Sequence, residues 1–330
     1  MSELFNTVES IYPWQQTSWE QLQKRHAANN IPHALMLIGP QGNGKYQFAR
    51  SFAKFLLCND STGTNTYCNQ CQSCHWFDNN THPDLNEILP TGKANIIKVD
   101  QIRELCQQLA LTSHSGGYQI ALIYPAENMN LNAANSLLKS LEEPNGNTLY
   151  ILVSHEPGQL PATVRSRCQM VKMPTPAPDF AQQWIEQQGI NVNFPLQNLL
   201  AIAGGAPLNA LKLLNEQQLE KRVQLAQELV AVIDDQSCLV PTAEKWAKQN
   251  IHQINLWLLS WVNDMIKERF CPDHCYQQNP DVQNVLQTLN NKLKLTLLFR
   301  VHDQLMQANQ AIKTANQQML AESILLSWIS

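Results

Sequence analysis

The stretch GPQGNGKYQFA at 39–49 constrains this chain more than any other segment of its length. It follows the apolar run ALMLI (34–38), and Phe48, Phe52, Phe55 and Leu56 then recur at helical spacing. Strand, glycine-rich turn and amphipathic helix in that order form the context of the phosphate-cradling loop G-x-x-x-x-G-K-[ST]. Gly39, Gly42 and Gly44 allow backbone N–H groups to close on phosphate oxygens at a helix N-terminus. Lys45 adds a point charge for the outer phosphates. The pattern breaks at the next position. Where a Ser or Thr hydroxyl should hold magnesium, the chain has Tyr46.

Two more apolar runs, IALI (120–123) and LYILV (149–153), are nearly continuous, as strands buried on both faces of a parallel sheet must be. Between them Leu131, Leu137, Leu138 and Leu141 predict a helix stopped by Pro144. Another helix is expected after Asp100, read as its N-cap, with Ile102, Leu105, Cys106 and Leu109 facing inward. Alternating strands and helices predict an α/β domain with a parallel sheet over 1–172. The three prolines of KMPTPAP (172–178) mark a breakpoint. Short helices around GGAP (204–207) predict a small helical domain over 173–214. Leu219, Val223, Ala226, Leu229, Val230 and Ile233, then Leu256, Leu259, Val262 and Ile266, predict a larger helical domain over 215–330.

A phosphate loop needs an acidic partner after a neighbouring buried strand, one carboxylate for magnesium and one for the attacking water. After IALI the chain has Tyr124, Pro125, Ala126 and only then Glu127, three residues late and read as a surface or capping group. Two independent departures thus fall on the same chemistry. Nucleotide hydrolysis is not expected.

The cysteines point elsewhere. Cys58, Cys68, Cys71 and Cys74 form C-x9-C-x2-C-x2-C, and the turn-rich YCNQCQSC brings three sulfurs round one point. Zinc suits four thiolates, and a site without an open position is structural rather than catalytic. An iron–sulfur cluster accepts the same ligands, and His75 and His82 stand nearby as substitutes. Cys271 and Cys275, with His274 between them, read as incidental. The net charge of −4 gives no global attraction to nucleic acid, so any DNA contact needs a local patch or partner subunits. MSELFNTVES lacks the layout of a signal peptide, and no apolar run approaches the ~18 residues of a membrane span. A cytoplasmic protein without membrane partners is expected. In TVRSRC (163–168), Arg165 and Arg167 read equally as surface charges or as an arginine finger offered to a neighbouring subunit.

Together, NSLLKSLEEP (135–144), SRC (166–168), HPD (82–84) and the four-cysteine insert behind the phosphate loop resemble the bacterial clamp-loader AAA+ subunits. The resemblance spans the AAA+ core and is weaker in the C-terminal helices, where only length and helicity match. It implies an AAA+ P-loop domain with a zinc-binding insert, a small helical lid and a helical collar. The family's motor members, gamma/tau, keep an intact loop, an Asp-Glu pair and an arginine in the following helical domain. Here those positions hold Tyr46, Tyr124 with Pro125, and Leu208 of GGAPLNAL. These departures match the family's non-hydrolysing stator. That member assembles with delta and gamma/tau in DNA polymerase III to load the sliding clamp on primed DNA during replication.

Carried over by motif, Arg167 is the arginine finger in trans, with Ser166 and Cys168 shaping its turn and Arg165 a surface or structural contact. Cys58, Cys68, Cys71 and Cys74 match the zinc ligands. Gly39, Gly42, Gly44 and Lys45 remain as a degraded phosphate loop, and whether it still holds ATP or ADP stays open. Two other readings stand beside this one: a divergent motor whose Glu127 rescues hydrolysis, and a free-standing P-loop nucleotide kinase using Lys45.

Overall fold

The computed structural model describes residues 11–329 except 61–65, 93–94, 112, 114–115, 190–193, 216, 272–277 and 313–314. They fall into two compact units, Met1–Pro176 and Ala177–Ser330. His274 and Cys275 lie outside the described residues.

The first unit is built on strands β1 (Ala34–Ile38), β2 (Leu85–Ile88), β3 (Gln119–Ile123), β4 (Thr148–Ser154) and β5 (Gln169–Lys172). All pairings are parallel and the order is β2-β3-β4-β1-β5. Its helices are α1 (Gln16–Ala27), α2 (Lys45–Leu57), α3 (Gln72–Asp78), α4 (Val99–Leu109), α5 (Leu131–Glu142) and α6 (Ala162–Arg165). Alternation along β1 explains its unbroken apolar sequence. Leu35 and Leu37 pack with Phe48 and Phe52 of α2 on one face. Ala34 and Met36 pack with Ile102, Leu105 and Leu137 on the other. Both faces are covered, so no position on the strand needs a polar side chain.

Two expectations shift. Helix α4 starts at Val99 with Lys98 as N-cap, so Asp100 is not the cap. Gln101 closes this helix end instead. Its Oε1 accepts the Lys98 N–H at 3.0 Å while its Nε2 donates to the Leu89 carbonyl at 2.9 Å. Asp100 sits in the first turn, where a carboxylate favours the positive end of the helix. In α5, Leu137 and Leu141 are buried, but Leu131 is exposed. Strands β2 (LNEI) and β5 (QMVK) carry no clear sequence signal, because both are edge strands with one half-open side and mixed composition.

The second unit is helical: α7 (Pro178–Gln187), α8 (Leu196–Ile202), α9 (Pro207–Asn215), α10 (Gln218–Asp234), α11 (Leu239–Ala247), α12 (Ile251–Phe270), α13 (Gln283–Lys292), α14 (Leu295–Ala311) and α15 (Gln317–Ser327). One core gathers Ala181, Ile185, Leu199 and Leu211 from α7–α9. A second gathers α10–α15 around Trp246, Leu258, Trp261, Val301 and Trp328. In α12 the expected Leu259 and Val262 are buried together with Ile254, Leu258, Trp261 and Met265, whereas the expected Leu256 and Ile266 are only partly buried. None of the helices is long and apolar enough to cross a membrane, among the described residues.

Among the described residues of the second unit, the charged side chains of Arg222, Asp264 and Asp281 lie inside. Arg222 of α10 is 1% exposed and donates from Nε to Asp281 Oδ2 at 2.7 Å and from Nη2 to Asn279 Oδ1 at 2.6 Å. Its guanidinium stands 5.4 Å and 5.7 Å from the ring centroids of Trp257 and Trp261. Asp264 Oδ2 accepts the N–H groups of Gln278 and Asn279 at 2.8 and 3.0 Å. This clasp ties 278–281 to α10 and α12. Truncating Arg222 leaves Asp281 buried without its cation, which costs about 3–5 kcal/mol. The Arg222→Ala chain is therefore expected to unfold at clearly lower urea concentration, and a loss under about 1 kcal/mol would contradict a buried pair.

Candidate functional site: phosphate loop, cysteine cluster and arginine turn

The glycine loop leaves β1 at the C-terminal ends of the strands and closes into α2. Two of its glycines are required by geometry. Gly44 has φ +75°, and a Cβ there would lie 2.4 Å from the Tyr12 ring. At Gly39 (φ +151°) a Cβ would meet the Met173 carbonyl oxygen at 2.4 Å. The segment 12–15, which carries no motif, braces the loop. Gln15 Nε2 and Trp14 Nε1 both donate to the Asn43 carbonyl, at 2.8 and 3.0 Å. Only a long-range contact defines this brace, so no local sequence signal announces it.

Lys45 is 2% exposed and its Nζ turns back on the loop, donating to the Gly39 and Pro40 carbonyls at 2.6 and 2.7 Å. Burial pulls its pKa down to about 8, with nearby Glu127 opposing the shift. Tyr46 stacks on Tyr124, ring centroids 4.6 Å apart, and Tyr124 meets His155 edge-on at 5.5 Å. The two residues that replace the metal-binding hydroxyl and the strand-end acid therefore pack on each other. Burial raises both phenol pKa values, that of Tyr124 to about 12, so both stay neutral near pH 7. A neutral phenol is a poor exchange for the hard anionic oxygens that magnesium prefers.

Glu127 is buried and its Oε1 accepts the His155 backbone N–H at 3.0 Å. It is therefore not the surface group the sequence suggested, although it does cap backbone. The His155 imidazole, missed in the sequence, is driven down to about 4 by burial and by Lys45, against the pull of Glu127. Leu208, where the motor subunits' arginine was expected, is buried in α9.

The four cysteines come together. The sulfurs of Cys58, Cys68, Cys71 and Cys74 all lie within 4.8 Å of one another, with Cys58–Cys68 at 3.6 Å and Cys58–Cys71 and Cys68–Cys74 at 3.9 Å. A tetrahedral ion with bonds of about 2.3 Å needs sulfurs about 3.8 Å apart. Cys58 ends α2 and Cys71 caps α3, so the cluster joins two helices. Backbone N–H groups of Gln70 and Cys71 point at Cys68 Sγ, at 3.5 and 3.3 Å, and hold that thiol down to about 6. Burial pushes the Cys58 and Cys74 thiols up instead. The donor set and spacing fit a metal ion.

His82 is committed elsewhere. Its Nδ1 accepts the Asp84 N–H at 3.1 Å, so its Nε2 carries the proton facing Ser73 Oγ at 2.8 Å. Ser73 Oγ donates to the Leu57 carbonyl at 2.5 Å, closing a relay that fastens the cysteine helix to α2. Lys54 of α2 adds an ion pair to Asp78 at 2.6 Å.

Arg167 lies in the turn between α6 and β5. Its Nε donates to Glu142 Oε1 at 2.8 Å, its Nη2 makes a shorter bond to the same oxygen, and its Nη1 donates to the Thr163 carbonyl at 2.9 Å. Ser166 Oγ also reaches the Thr163 carbonyl, at 3.1 Å, and Cys168 is buried behind the turn. Arg165 is half-buried with its Nε shielded from solvent. Leu35 pairs with Gln169 and Ile38 with Lys172. Arg167 therefore stands at the N-terminal ends of the strands and the glycine loop at the C-terminal ends, on the order of 15 Å away. That gap exceeds the reach of an arginine side chain. The structure thus gathers Gly39, Gly42, Gly44 and Lys45 in one place and Arg167 in another.

A parallel sheet in this order, a phosphate loop after β1, a cysteine insert behind α2 and a helical C-terminal unit define an AAA+ P-loop protein. Family models described as "DNA polymerase III, delta subunit" and "DNA polymerase III, delta subunit, C terminal" match residues 14–177 and 216–330. The DNA polymerase III subunit delta' of Pseudomonas aeruginosa is 34% identical over 98% of this chain and 98% of its own length. The Escherichia coli protein of the same name is 28% identical over 96% and 94%. A DNA polymerase III gamma subunit-related protein of Thermotoga maritima aligns over 96% of this chain and 98% of its own, at 14% identity and a TM-score of 0.40. The chain belongs to the family of DNA polymerase III delta' subunits.

The buried Lys45 has a pH signature. An unfolded lysine titrates near 10.4, whereas the folded chain releases this proton at about 8. Below that pH both states carry the charge and folding bears the full cost of burying it. Between about 8 and 10.4 the unfolded state binds more protons, so stability rises with pH. Relative to a Lys45→Met variant, the parent chain should gain on the order of 2–3 kcal/mol across that interval in denaturant titrations. A difference that stays constant with pH would contradict the burial of the ammonium.

Proposed function

We propose that this chain is the non-hydrolysing stator of the DNA polymerase III clamp loader and donates Arg167 to a neighbouring subunit's ATP. In this reading it assembles with delta and gamma/tau, and the complex loads the sliding clamp on primed DNA in the bacterial cytoplasm. The observation that carries it is the separation of the two elements across the sheet. Arg167 sits at the strand ends opposite the chain's own loop, so its guanidinium serves a nucleotide only if another chain presents one. The Tyr46–Tyr124 stack, the inward turn of Lys45 and the tie between Glu127 and the His155 N–H support a loop without turnover of its own. Phosphoryl transfer depends on positioned metal and charge, and each of these residues has another occupation.

We assign 173–214 to a lid-like helical domain and 215–330 to the collar, in keeping with the separate cores of α7–α9 and α10–α15. In the AAA+ domain, over 1–172, Cys58, Cys68, Cys71 and Cys74 hold a structural zinc ion. They offer no open position for a reaction, and the ion's contribution is to fix the insert against α2.

Two measurements test these assignments. In the reconstituted complex, Arg167→Ala should lower clamp- and DNA-stimulated ATP hydrolysis at the adjacent site by about tenfold or more, and total turnover accordingly. Unchanged turnover would remove the finger assignment. Metal analysis should return zinc at about one ion per chain, and its chelation should open 58–74 to protease. Iron absorbance, or unaltered protease resistance after verified metal loss, would contradict the zinc assignment.

A further inference from the structure

Glu142 is the last residue of α5, and Glu143 follows as its C-cap. Carboxylates at that end of a helix face the negative pole of its dipole, an unfavourable arrangement. A purely structural helix end would favour a cation there. Lys139 already places a cation in the last turn, and Arg167 adds another, approaching from the turn before β5 with Nε and Nη2 on a single oxygen, Glu142 Oε1. The pair joins two elements that meet at the N-terminal ends of the strands. It is not deep: the side chains are 33% and 50% exposed, so solvent screens it and it adds little to stability.

Its geometry is more informative than its energy. A guanidinium has five N–H donors. Three are engaged here, two by Glu142 and one by the Thr163 carbonyl, which leaves two on the Nη atoms uncommitted among the described residues. A free arginine has rotamer entropy that must be lost before its fork can meet a phosphoryl group. Fixing one edge of the fork in advance removes much of that loss and aims the other edge outward.

We propose that Glu142 is the positioning residue for Arg167, holding the guanidinium oriented for a partner's nucleotide while leaving two donors to contact it. This inference rests on the reading of Arg167 as a finger. Glu142 itself touches no nucleotide in this scheme. The carboxylate acts before the neighbour arrives and remains bound to Nε while the outer donors engage.

The test uses the reconstituted complex with Glu142→Ala, Glu142→Asp, Glu142→Gln and Arg167→Ala, and the double variant Glu142→Ala/Arg167→Ala. Glu142→Ala should lower stimulated kcat about three- to tenfold while the KM for ATP moves less than about twofold, because the nucleotide is bound by the neighbour's own loop. Glu142→Asp keeps the charge but withdraws the oxygens by one methylene and should lose activity similarly. Glu142→Gln keeps an acceptor at the right distance and should retain more than about half of kcat. In the Arg167→Ala background, Glu142→Ala should add nothing. If Arg167→Ala leaves turnover unchanged, the finger reading fails and this inference falls with it. If Arg167→Ala lowers turnover but Glu142→Ala and Glu142→Asp do not, or raise it, only the positioning role is overturned. An equal loss from Glu142→Ala in the presence and absence of Arg167 would likewise overturn it.

Discussion

Parallel pairing of β1 with β4 on one side and β5 on the other fixes the functional layout of the first unit. With β1 buried on both faces, the loop that follows it must emerge at the C-terminal ends of the strands. The turn entering β5 must lie at the opposite ends, because β5 runs in the same direction. Helix α5 runs back between those ends and delivers Glu142 to the side where Arg167 waits. One strand order thus sets the glycine loop and Arg167 at opposite ends of the sheet, too far apart to meet on one small ligand.

The glycine loop is tied into the packing of the first unit. Tyr12 requires a glycine at 44, Gln15 and Trp14 take the Asn43 carbonyl, and Lys45 is satisfied by two carbonyls of its own loop. The Tyr46–Tyr124 pair adds about 0.5–1.5 kcal/mol beyond its buried area. These interactions favour the folded loop as a scaffold for α2. Helix α2 in turn carries Cys58, the relay from Ser73 and His82, and the ion pair of Lys54 with Asp78. The loop and the cysteine insert are therefore two ends of one rigid element.

Much of this was legible in the sequence for definable reasons. The central strands β1, β3 and β4 carry continuous apolar runs because both sheet faces are covered, and the same composition separates them from the helices. Edge strands β2 and β5 lack that signal, since Glu87 and Gln169 are tolerated where one side is half open. The cysteines declared themselves through spacing, which local chain geometry converts directly into proximity. Long-range partners left no such trace. The brace from Gln15 to Asn43, the tie from Glu127 to His155 and the clasp of Arg222 with Asp281 join residues 28–59 positions apart, and only folding brings them together. Arg167 was visible as a motif, but its in-chain partner Glu142 was not, although it lay within the NSLLKSLEEP motif.

In the proposed function the phosphate loop has no catalytic cycle of its own and Arg167 makes the chain's contribution to ATP chemistry. Steady-state ATP turnover of the isolated full-length chain tests the first half most directly, with Lys45→Ala as the control. The account predicts no turnover above background for either protein. Repeated turnovers by the parent chain that Lys45→Ala abolishes would contradict it.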